Sequence, residues 1–345
     1  MDHKKLKIVL EDHHQPSFRY KQITKAVFAD TTKSFDDIST LPKELRTILS
    51  EELTILPFTL MNVVISADKR AMKALFMLSD GKIIESVLIS PKPDMWSACI
   101  SCQVGCAMSC DFCATGKLGL TRDLTTEEIV SQAIFWRQYL QQEGIEGTYA
   151  NIVYMGMGEP FMNWGYVKES IEVLTDADLC NFPNRGLSVS TSGIVSGIEK
   201  FADTFGQVNL AISLHFASDE KRSKYMPVNK GNDLEKLKEA LQYYLRKNKR
   251  KLFIEYIMLD KINDTHEDAV MLSEYLRSVG TMHLLHVNLI RYNAIDGDHV
   301  PSTKNAVQQF KKDLDNLGIS ATIRKSIGDD IHGACGQLAG KSEKK

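Results

Sequence analysis

Long apolar runs are missing from this chain. No stretch approaches the roughly 18 residues that cross a bilayer as a helix. The opening residues, MDHKKLKIVLEDHH, hold too short an apolar stretch and too many charges for a secretory signal. Apolar residues make up 43% of the chain and charged residues 25%, as in ordinary soluble proteins. We therefore expect a cytoplasmic protein whose 345 residues can bury a full core.

An excess of charge of either sign is also missing. The formal net charge is −2, so the overall electrostatics do not indicate a nucleic-acid partner, and RNA contact would need a local patch. The best candidate runs from Lys221 to Lys251 and ends in the basic stretch RKNKRK. The alternative is a solvated helix end, where cations suit the helix dipole.

Cysteine is scarce outside one short segment. Five of the seven cysteines lie between Cys99 and Cys113, with Cys180 and Cys335 far away. In a cytosolic chain of this size, such clustering favours metal or redox chemistry over a framework of structural disulfides.

The pattern of apolar residues changes near residue 90. Residues 1–90 predict a small, mainly helical accessory domain, for which RNA binding is one role, with strand-like runs at 60–66, 72–78 and 83–90. Residues 91–340 predict a core domain of short apolar strands, the first at 99–104, that alternate with amphipathic helices. One such helix starts with the capping box Thr125-x-x-Glu128. This alternation predicts an α/β fold of parallel β/α units, closed wholly or partly into a barrel. Chemistry in such barrels lies on loops after strands, and the cysteines follow the first strand.

Two metal sites compete for the segment CISCQVGCAMSCDFC at 99–113. A zinc ribbon would use Cys99-x-x-Cys102 and Cys110-x-x-Cys113, but only seven residues separate these pairs, against a usual gap of about 12–20. The alternative, Cys106-x-x-x-Cys110-x-x-Cys113, suits an iron–sulfur cluster, because three thiolates in one tight loop leave one iron open. That open iron can bind the amino and carboxylate groups of S-adenosylmethionine (SAM).

The CxxxCxxC spacing with Phe112 before the last cysteine resembles the radical SAM signature. The wider sequence resembles the RNA adenosine methyltransferases of the RlmN and Cfr group, with the RlmN-like members favoured. The resemblance covers nearly all of 85–340 and is carried by GCAMSCDFCATGKLGLTRDLTTEEI at 105–129, YMGMGEP at 154–160, SVSTSG at 188–193, SLH at 213–215, VNLIRYN at 287–293 and ACGQL at 334–338.

The resemblance implies a partial (β/α)6 barrel that holds a 4Fe-4S cluster on Cys106, Cys110 and Cys113. It implies two SAM molecules per turnover. One donates a methyl group to Cys335, and the second is cleaved to a radical that takes a hydrogen from that methyl. The carbon radical then adds to adenine, and Cys99 releases the product by closing a disulfide with Cys335.

Other roles also come from the resemblance. Glu85 matches the proton acceptor. The residues that match the cosubstrate pocket are Gly158, Glu159, Ser190, Ser213, Leu214, His215 and Asn293. Without the resemblance, Glu85 would be an ordinary strand residue and GxGE at 156–159 a plain turn. Cys102 stands where the family usually has Ser, and Cys180 is expected to be structural.

The same resemblance implies that the substrate is an adenosine in the peptidyl-transferase centre of 23S ribosomal RNA, with an adenosine in tRNA as a second target. We expect methylation of carbon 2; carbon 8, as in the Cfr type, is the alternative. The electron donor would be a flavodoxin or ferredoxin, and the protein a monomer. Two rivals belong to other classes: a radical SAM activase without methyl transfer, and a zinc-stabilised RNA-binding protein.

Overall fold

The computed structural model describes residues 1–295 and 299–340. Its α-helices are α1 (His3–Asp12), α2 (Phe18–Thr24), α3 (Lys43–Glu52), α4 (Ala114–Lys117), α5 (Thr126–Gln142), α6 (Trp164–Thr175), α7 (Val195–Thr204), α8 (Asp219–Tyr225), α9 (Leu234–Lys247), α10 (His266–Val279) and α11 (Lys304–Asn316). None of the helices in these ranges has the length and apolar character that crossing a membrane needs.

Strands fill most of the intervals between these helices. They are β1 (Phe58–Ile65), β2 (Ala71–Leu78), β3 (Ile83–Lys92), β4 (Met95–Cys99), β5 (Gln103–Gly105), β6 (Leu120–Asp123), β7 (Thr148–Tyr154), β8 (Leu187–Thr191), β9 (Asn209–Ser213), β10 (Leu252–Met258), β11 (Leu285–Arg291) and β12 (Ala321–Arg324).

Ten strands form one sheet, in the order β1-β2-β3-β4-β7-β8-β9-β10-β11-β12. β1 to β4 pair antiparallel, whereas all neighbours from β4 onward are parallel. Six helical crossovers lead from β4 to β12, which confirms the predicted α/β class. In the described part of the chain no ladder joins β1 to β12, so the barrel is partial, as expected.

The sheet continues across the boundary predicted at residues 90 and 91. β3 pairs with β4 in the register Val87–Cys99 and Leu88–Ala98. The N-terminal helical region also contacts the core, because the Arg137 guanidinium of α5 donates to the Phe28 carbonyl at 2.5 Å. The antiparallel strands therefore extend the parallel sheet. The division into accessory and core domains stays a prediction.

The predicted strand at 99–104 is wrong, because the chain leaves the large sheet after Cys99. The Ser101 hydroxyl donates to the Glu85 carbonyl at 2.6 Å and accepts from the Met157 amide at 2.8 Å. These two bonds turn the chain, and β5 then pairs with β6 in a separate two-stranded sheet. The pattern of apolar residues gives no sign of this break. The break arises because one hydroxyl, that of Ser101, bonds to two segments that are distant in sequence.

The helix predicted from the capping box begins where expected. The Thr125 hydroxyl accepts from the Glu128 amide, and the Glu128 carboxylate accepts from the Thr125 amide. α5 then covers the sheet with buried Ile129, Ala133 and Trp136.

Because successive side chains of a strand point to opposite faces, every second side chain of the sheet points into the barrel. The side chains that line its interior come from nearly every strand; they include Val87, Cys99, Val153, Ser188, Ala211, Glu255, Asn288 and Arg324. Most are small or apolar, which leaves open space at the centre. The site described next lies in this space.

Candidate active site

Three cysteines lie on one loop between β5 and α4. Cys106 follows β5 directly, and Cys113 is the residue before the first turn of α4. Cys106, Cys110 and Cys113 are all free thiols that line one cavity inside the barrel. The connection that leaves β4, the first strand of the barrel, therefore carries this loop, after the short β5, into the interior, as the barrel rule predicts.

Backbone hydrogen bonds hold this loop from three sides. The Cys106 amide donates to the Gly119 carbonyl at 2.9 Å, and the Asp111 amide to the Tyr225 carbonyl at 3.1 Å. At Gly116, a side-chain carbon would lie 2.9 Å from the Cys110 carbonyl oxygen, so only glycine allows this close approach. These contacts hold the loop in the conformation that places its three cysteines at the cavity.

The thiols suit a multinuclear cluster. No three metal-binding side chains in the described ranges converge as they would around a single ion. A cluster spreads its ligands over several metal atoms and needs no such convergence. Burial raises the pKa of the Cys106 thiol to about 12, so thiolate ligation there requires the positive charge of the metal. Three free thiols on one short loop, lining one cavity, are the ligands that a cluster of iron and sulfide takes.

The same cavity contains most of the predicted cosubstrate residues. Gly158, Glu159, Ser190, Ser213 and His215 line it with the three cysteines. Ser190 and Ser213 are neighbours on β8 and β9, with their hydroxyl oxygens 3.4 Å apart. Leu214 and Asn293 do not line it. Instead, the Leu214 side chain lies in the apolar core, and the Asn293 amide group donates to the Cys335 carbonyl at 3.1 Å.

Glu159 is a buried carboxylate held by backbone amides. It accepts from the Phe161 amide at 3.0 Å and from the Ser192 amide at 2.7 Å. Burial raises the pKa of Glu159, although these hydrogen bonds oppose the rise. The Thr191 and Ser192 side chains also act on this carboxylate, which lines the cavity where a cationic amino group would be a further partner.

His215 supplies a neutral imidazole. Its Nδ1 accepts from the Ile257 amide at 3.1 Å, so the proton resides on Nε2. Burial, with the nearby Arg222 guanidinium as the second cause, lowers the pKa of His215 to about 3. The ring packs edge-on against Phe112 at 5.2 Å between centroids, which connects the cysteine loop to the end of β9.

Arg222 of α8 joins the loops behind this cavity. Its fully buried guanidinium donates to the Ser192 carbonyl at 2.5 Å, the Asn229 side-chain oxygen at 2.8 Å and the Leu214 carbonyl at 3.2 Å. Within the described ranges no carboxylate forms an ion pair with it, although Asp219 is linked to it through Asn229 at 2.8 Å. Arg222 therefore holds the carbonyl groups of Ser192, whose amide donates to Glu159, and of Leu214, which precedes His215.

A second cavity adjoins the first and contains Cys99 and Cys335. Met155, Glu255, Ile290 and Cys335 line both cavities, so the two spaces meet at these residues. Cys335 alone of the seven cysteines is exposed, and its exposed surface faces the cavities. Burial raises the pKa of the Cys99 thiol, and the second largest cause is the nearby Cys335. Residues 236 positions apart in sequence thus lie at one site.

Comparison with known proteins agrees with this geometry. Residues 100–272 match the radical SAM superfamily. The ribosomal RNA large subunit methyltransferase Cfr of Clostridium botulinum is 38% identical over 341 residues, which cover 98% of this chain and 97% of that protein. The probable dual-specificity RNA methyltransferase RlmN of Enterococcus faecalis is 38% identical over 335 residues, 96% of this chain and 93% of that protein. The chain belongs to the radical SAM superfamily, in its RlmN and Cfr methyltransferase group.

A solved structure extends the likeness to the whole fold. The radical SAM methyltransferase from Sphaerobacter thermophilus superposes with a TM-score of 0.93 at 36% identity and covers 99% of this chain and 98% of its own. The similarity therefore includes the N-terminal helices and the three antiparallel strands as well as the radical SAM core.

Hydrogen bonds from α4 hold the loop that carries Cys335. The Ala114 amide donates to the Gly336 carbonyl at 2.8 Å, and the Thr115 hydroxyl to the Leu338 carbonyl at 2.6 Å. At Gly336 the backbone φ of +82° favours glycine. The Cys335 loop thus docks on the residues that follow the cysteine loop.

Glu85 is on the face of β3 that points into the barrel, and residues that follow the Cys335 loop cover it. Its carboxylate accepts from the Ala339 amide at 3.1 Å and lies 3.8 Å from the Lys73 ammonium group. Glu85 is not among the described residues that line either cavity. Its predicted role as proton acceptor stays a prediction.

Two site residues have no counterpart in the sequence predictions. Arg222 looks like any cation of a polar helix, and its burial is decided only by packing. Glu255 left a signal that could have been used, because it is the single charged residue in the apolar strand LFIEYIM. Cys102 and Cys180 are both buried outside the two cavities.

The basic tract from Lys221 to Lys251 is largely occupied by internal contacts. Lys247 forms an ion pair with Asp203 at 3.1 Å, and Lys221 with Asp268 at 2.6 Å. The Arg250 guanidinium donates to the Asn209 side chain at 2.6 Å. These contacts favour the solvated helix end over an RNA-binding patch.

Proposed function

We propose that this radical SAM methyltransferase methylates carbon 2 of an adenosine in 23S ribosomal RNA, with an S-methylcysteine at Cys335 as the intermediate. The observation that carries the proposal is the position of Cys335, which lines the cosubstrate cavity and also the cavity of Cys99. A methyl acceptor must reach the methyl donor, and its resolving thiol must reach the acceptor. One sulfur between two cavities meets both needs.

The cysteine loop and its surroundings would hold the cofactor and cosubstrate. Cys106, Cys110 and Cys113 bind a 4Fe-4S cluster, which when bound supplies the electron that cleaves SAM. Glu159 accepts from the cosubstrate's amino group, and Gly158 lets its backbone approach closely. His215 donates from Nε2, and Ser190 and Ser213 supply hydroxyls. Two SAM molecules are consumed per turnover, one as methyl donor and one as radical source.

The thiol pair would perform the transfer and the release. Cys335 accepts the methyl group and becomes joined through that carbon to the adenine. Cys99 then attacks the Cys335 sulfur, and the resulting disulfide frees the methylated RNA. Glu85 is the proton acceptor in this scheme, and Asn293 positions the Cys335 loop through its bond to the Cys335 carbonyl.

Relatives of both groups motivate the choice of RNA. The Cfr relatives carry ribosomal RNA in their name, and the RlmN relatives are called dual-specificity RNA methyltransferases. Ribosomal RNA is therefore the proposed substrate and tRNA a second one. A flavodoxin or ferredoxin supplies electrons to a cytoplasmic monomer, in which residues 1–90 act as the accessory, RNA-binding domain.

Carbon 8 is the second candidate, and one observation favours it. The Cfr relatives are as similar as the RlmN relatives, at 38% identity and with slightly greater coverage of this chain. Carbon 2 is preferred on the sequence QVG at 103–105 and TSG at 191–193, which resemble the RlmN-like members.

Anaerobic reaction with 23S RNA, SAM and a reductant tests the proposal. We expect 2-methyladenosine in RNA digests analysed by chromatography and mass spectrometry. 8-Methyladenosine would instead establish the second candidate. Cys335→Ala should give neither product, whereas Cys180→Ala, outside both cavities, serves as the matched control and should retain activity. Methylation by Cys335→Ala at the wild-type rate would refute the thiol route.

A further inference from the structure

A carboxylate without an assigned role lies at the junction of the two cavities. Glu255 is on β10, between Phe253 and Ile257, which face the same interior. Of the described residues that line both cavities, it is the only acidic one and Cys335 is the only thiol. Glu255 is therefore on the same surface as the sulfur that would be methylated.

The neighbours of Glu255 stabilise it only weakly as an anion. Its Oε1 accepts from the Asn288 side-chain amide at 2.8 Å, and 6% of the residue is exposed. No cation in the described ranges forms an ion pair with it, and Arg324, at the cavity mouth, acts only from a distance. Desolvation therefore dominates and raises the pKa of Glu255 to about 7. Such a group can accept and return a proton near neutral pH.

The Cys335 thiol needs a base of this kind. The protein around the cavities partly desolvates this thiol and raises its pKa, and the Glu255 carboxylate, the largest charge effect on it, raises the pKa further. A protonated thiol is a poor nucleophile towards a sulfonium methyl group. Methyl transfer therefore requires that the proton leave as the new bond forms.

We propose that Glu255 is the catalytic base that takes the proton from the Cys335 thiol when this sulfur accepts the methyl group. The sulfur–carbon bond to Cys335 forms, the methyl–sulfonium bond of SAM breaks, and the thiol proton passes to the Glu255 carboxylate. The products are S-methylcysteine, S-adenosylhomocysteine and a neutral carboxylic acid, so atoms and charge balance. The assignment rests on the proposed function.

Other ionisable groups near the junction are less suitable. Glu159 is held by two backbone amides within the cosubstrate cavity, and Glu85 lies under Ala339. His215 already accepts a hydrogen bond at Nδ1 and carries its proton on Nε2. Cys99 is a half-buried thiol whose raised pKa makes it a proton donor rather than an acceptor near neutral pH. Glu255 is the remaining acceptor.

The direct test follows methyl transfer to Cys335 in the cluster-loaded enzyme. SAM with a deuterated methyl group is added without reductant, and the Cys335 peptide is quantified by mass spectrometry. Glu255→Gln should lower the methylation rate at pH 7 by about a hundredfold, while iron content stays at the wild-type level. Glu255→Asp, which keeps the carboxylate, should recover to within about tenfold of the wild-type rate. A wild-type rate in Glu255→Gln overturns the assignment.

A second measurement separates proton transfer from electrostatic repulsion, and needs no cosubstrate. Alkylation of Cys335 by iodoacetamide is followed on the full chain from pH 6 to 9. If Glu255 takes the proton, Glu255→Gln slows alkylation near pH 7. If its charge only repels the thiolate, Glu255→Gln accelerates alkylation and the proposal is overturned. The groups that act electrostatically on this pair are Arg324, Cys99 and Cys113. Lys325 lines the cavity of Cys99, Glu159 and His215 line the cosubstrate cavity, and all of these residues are unchanged in the variants.

Glu128→Gln is the matched control. Glu128 is also 6% exposed, but it pairs with Arg122 and lies outside both cavities. Its Cys335 methylation and alkylation rates should equal those of the wild type; a parallel loss there overturns the specific role of Glu255. If wild-type Cys335 accepts no methyl group at all, the thiol route fails together with the assignment. If wild-type Cys335 is methylated and Glu255→Gln is methylated at the same rate, the role of Glu255 as the base is refuted while the thiol route stands.

Discussion

Replacement of Arg222 by Met tests the idea that one buried cation holds the loops of the site. The change removes the donors to the Ser192 carbonyl at 2.5 Å, the Asn229 side chain at 2.8 Å and the Leu214 carbonyl at 3.2 Å. Each buried acceptor left without a donor costs about 1–3 kcal/mol, or about 3–9 kcal/mol for three. Removal of a desolvated charge offsets several kcal/mol of that cost. The free energy of unfolding should therefore fall by about 3 kcal/mol.

Urea unfolding of the cluster-free full chain measures this loss, because a bound cofactor would distort the transition. Lys224→Met on the same helix is the control; Lys224 is exposed, so its loss should stay within about 0.5 kcal/mol. SAM binding should weaken in Arg222→Met as well, since Ser192 also donates to Glu159. A loss below about 1 kcal/mol in Arg222→Met would refute the reasoning, because packing alone would then hold the loops.

Three further predictions concern the cavities. Cys99→Ala should leave an RNA–protein adduct that survives a denaturing gel, because the resolving thiol is gone; free RNA alone would contradict the release step. Gly158→Ala should lower the free energy of unfolding by about 1–3 kcal/mol, since φ is +105° and the new carbon would lie 2.6 Å from Gln103. Gly81→Ala, at φ +77° in open space, isolates the backbone part of that cost. Burial raises the pKa of Glu255 from 4.5 to about 7, so its contribution to stability is present below pH 4.5 and is lost as pH rises through 7. Glu255→Gln removes this titration, so the free energy of unfolding measured in urea should fall less between pH 4.5 and 7 than it does in the wild type. An equal fall in both proteins would contradict the raised pKa of Glu255.

Local signals in the chain predicted the helices and strands well. The capping box at Thr125 places the start of α5 correctly, and the strand predicted at 72–78 agrees with β2 to within one residue. The predicted strand at 99–104 fails because the Ser101 hydroxyl bonds to Glu85 and Met157, which are distant in sequence. Such bonds are invisible to periodicity.

The α/β class and the cysteine loop follow from the sequence by itself, since strand and helix periods and ligand spacing are local properties. Only the tertiary structure brings Cys335 to Cys99, buries Arg222 behind the cosubstrate cavity and puts Glu255 where the two cavities meet. These relations join residues from different strand ends, and their environment depends on which side chains close over them. Burial determines whether a carboxylate, a guanidinium or a thiol remains an ordinary polar group or becomes part of a site, and burial is a property of the folded chain.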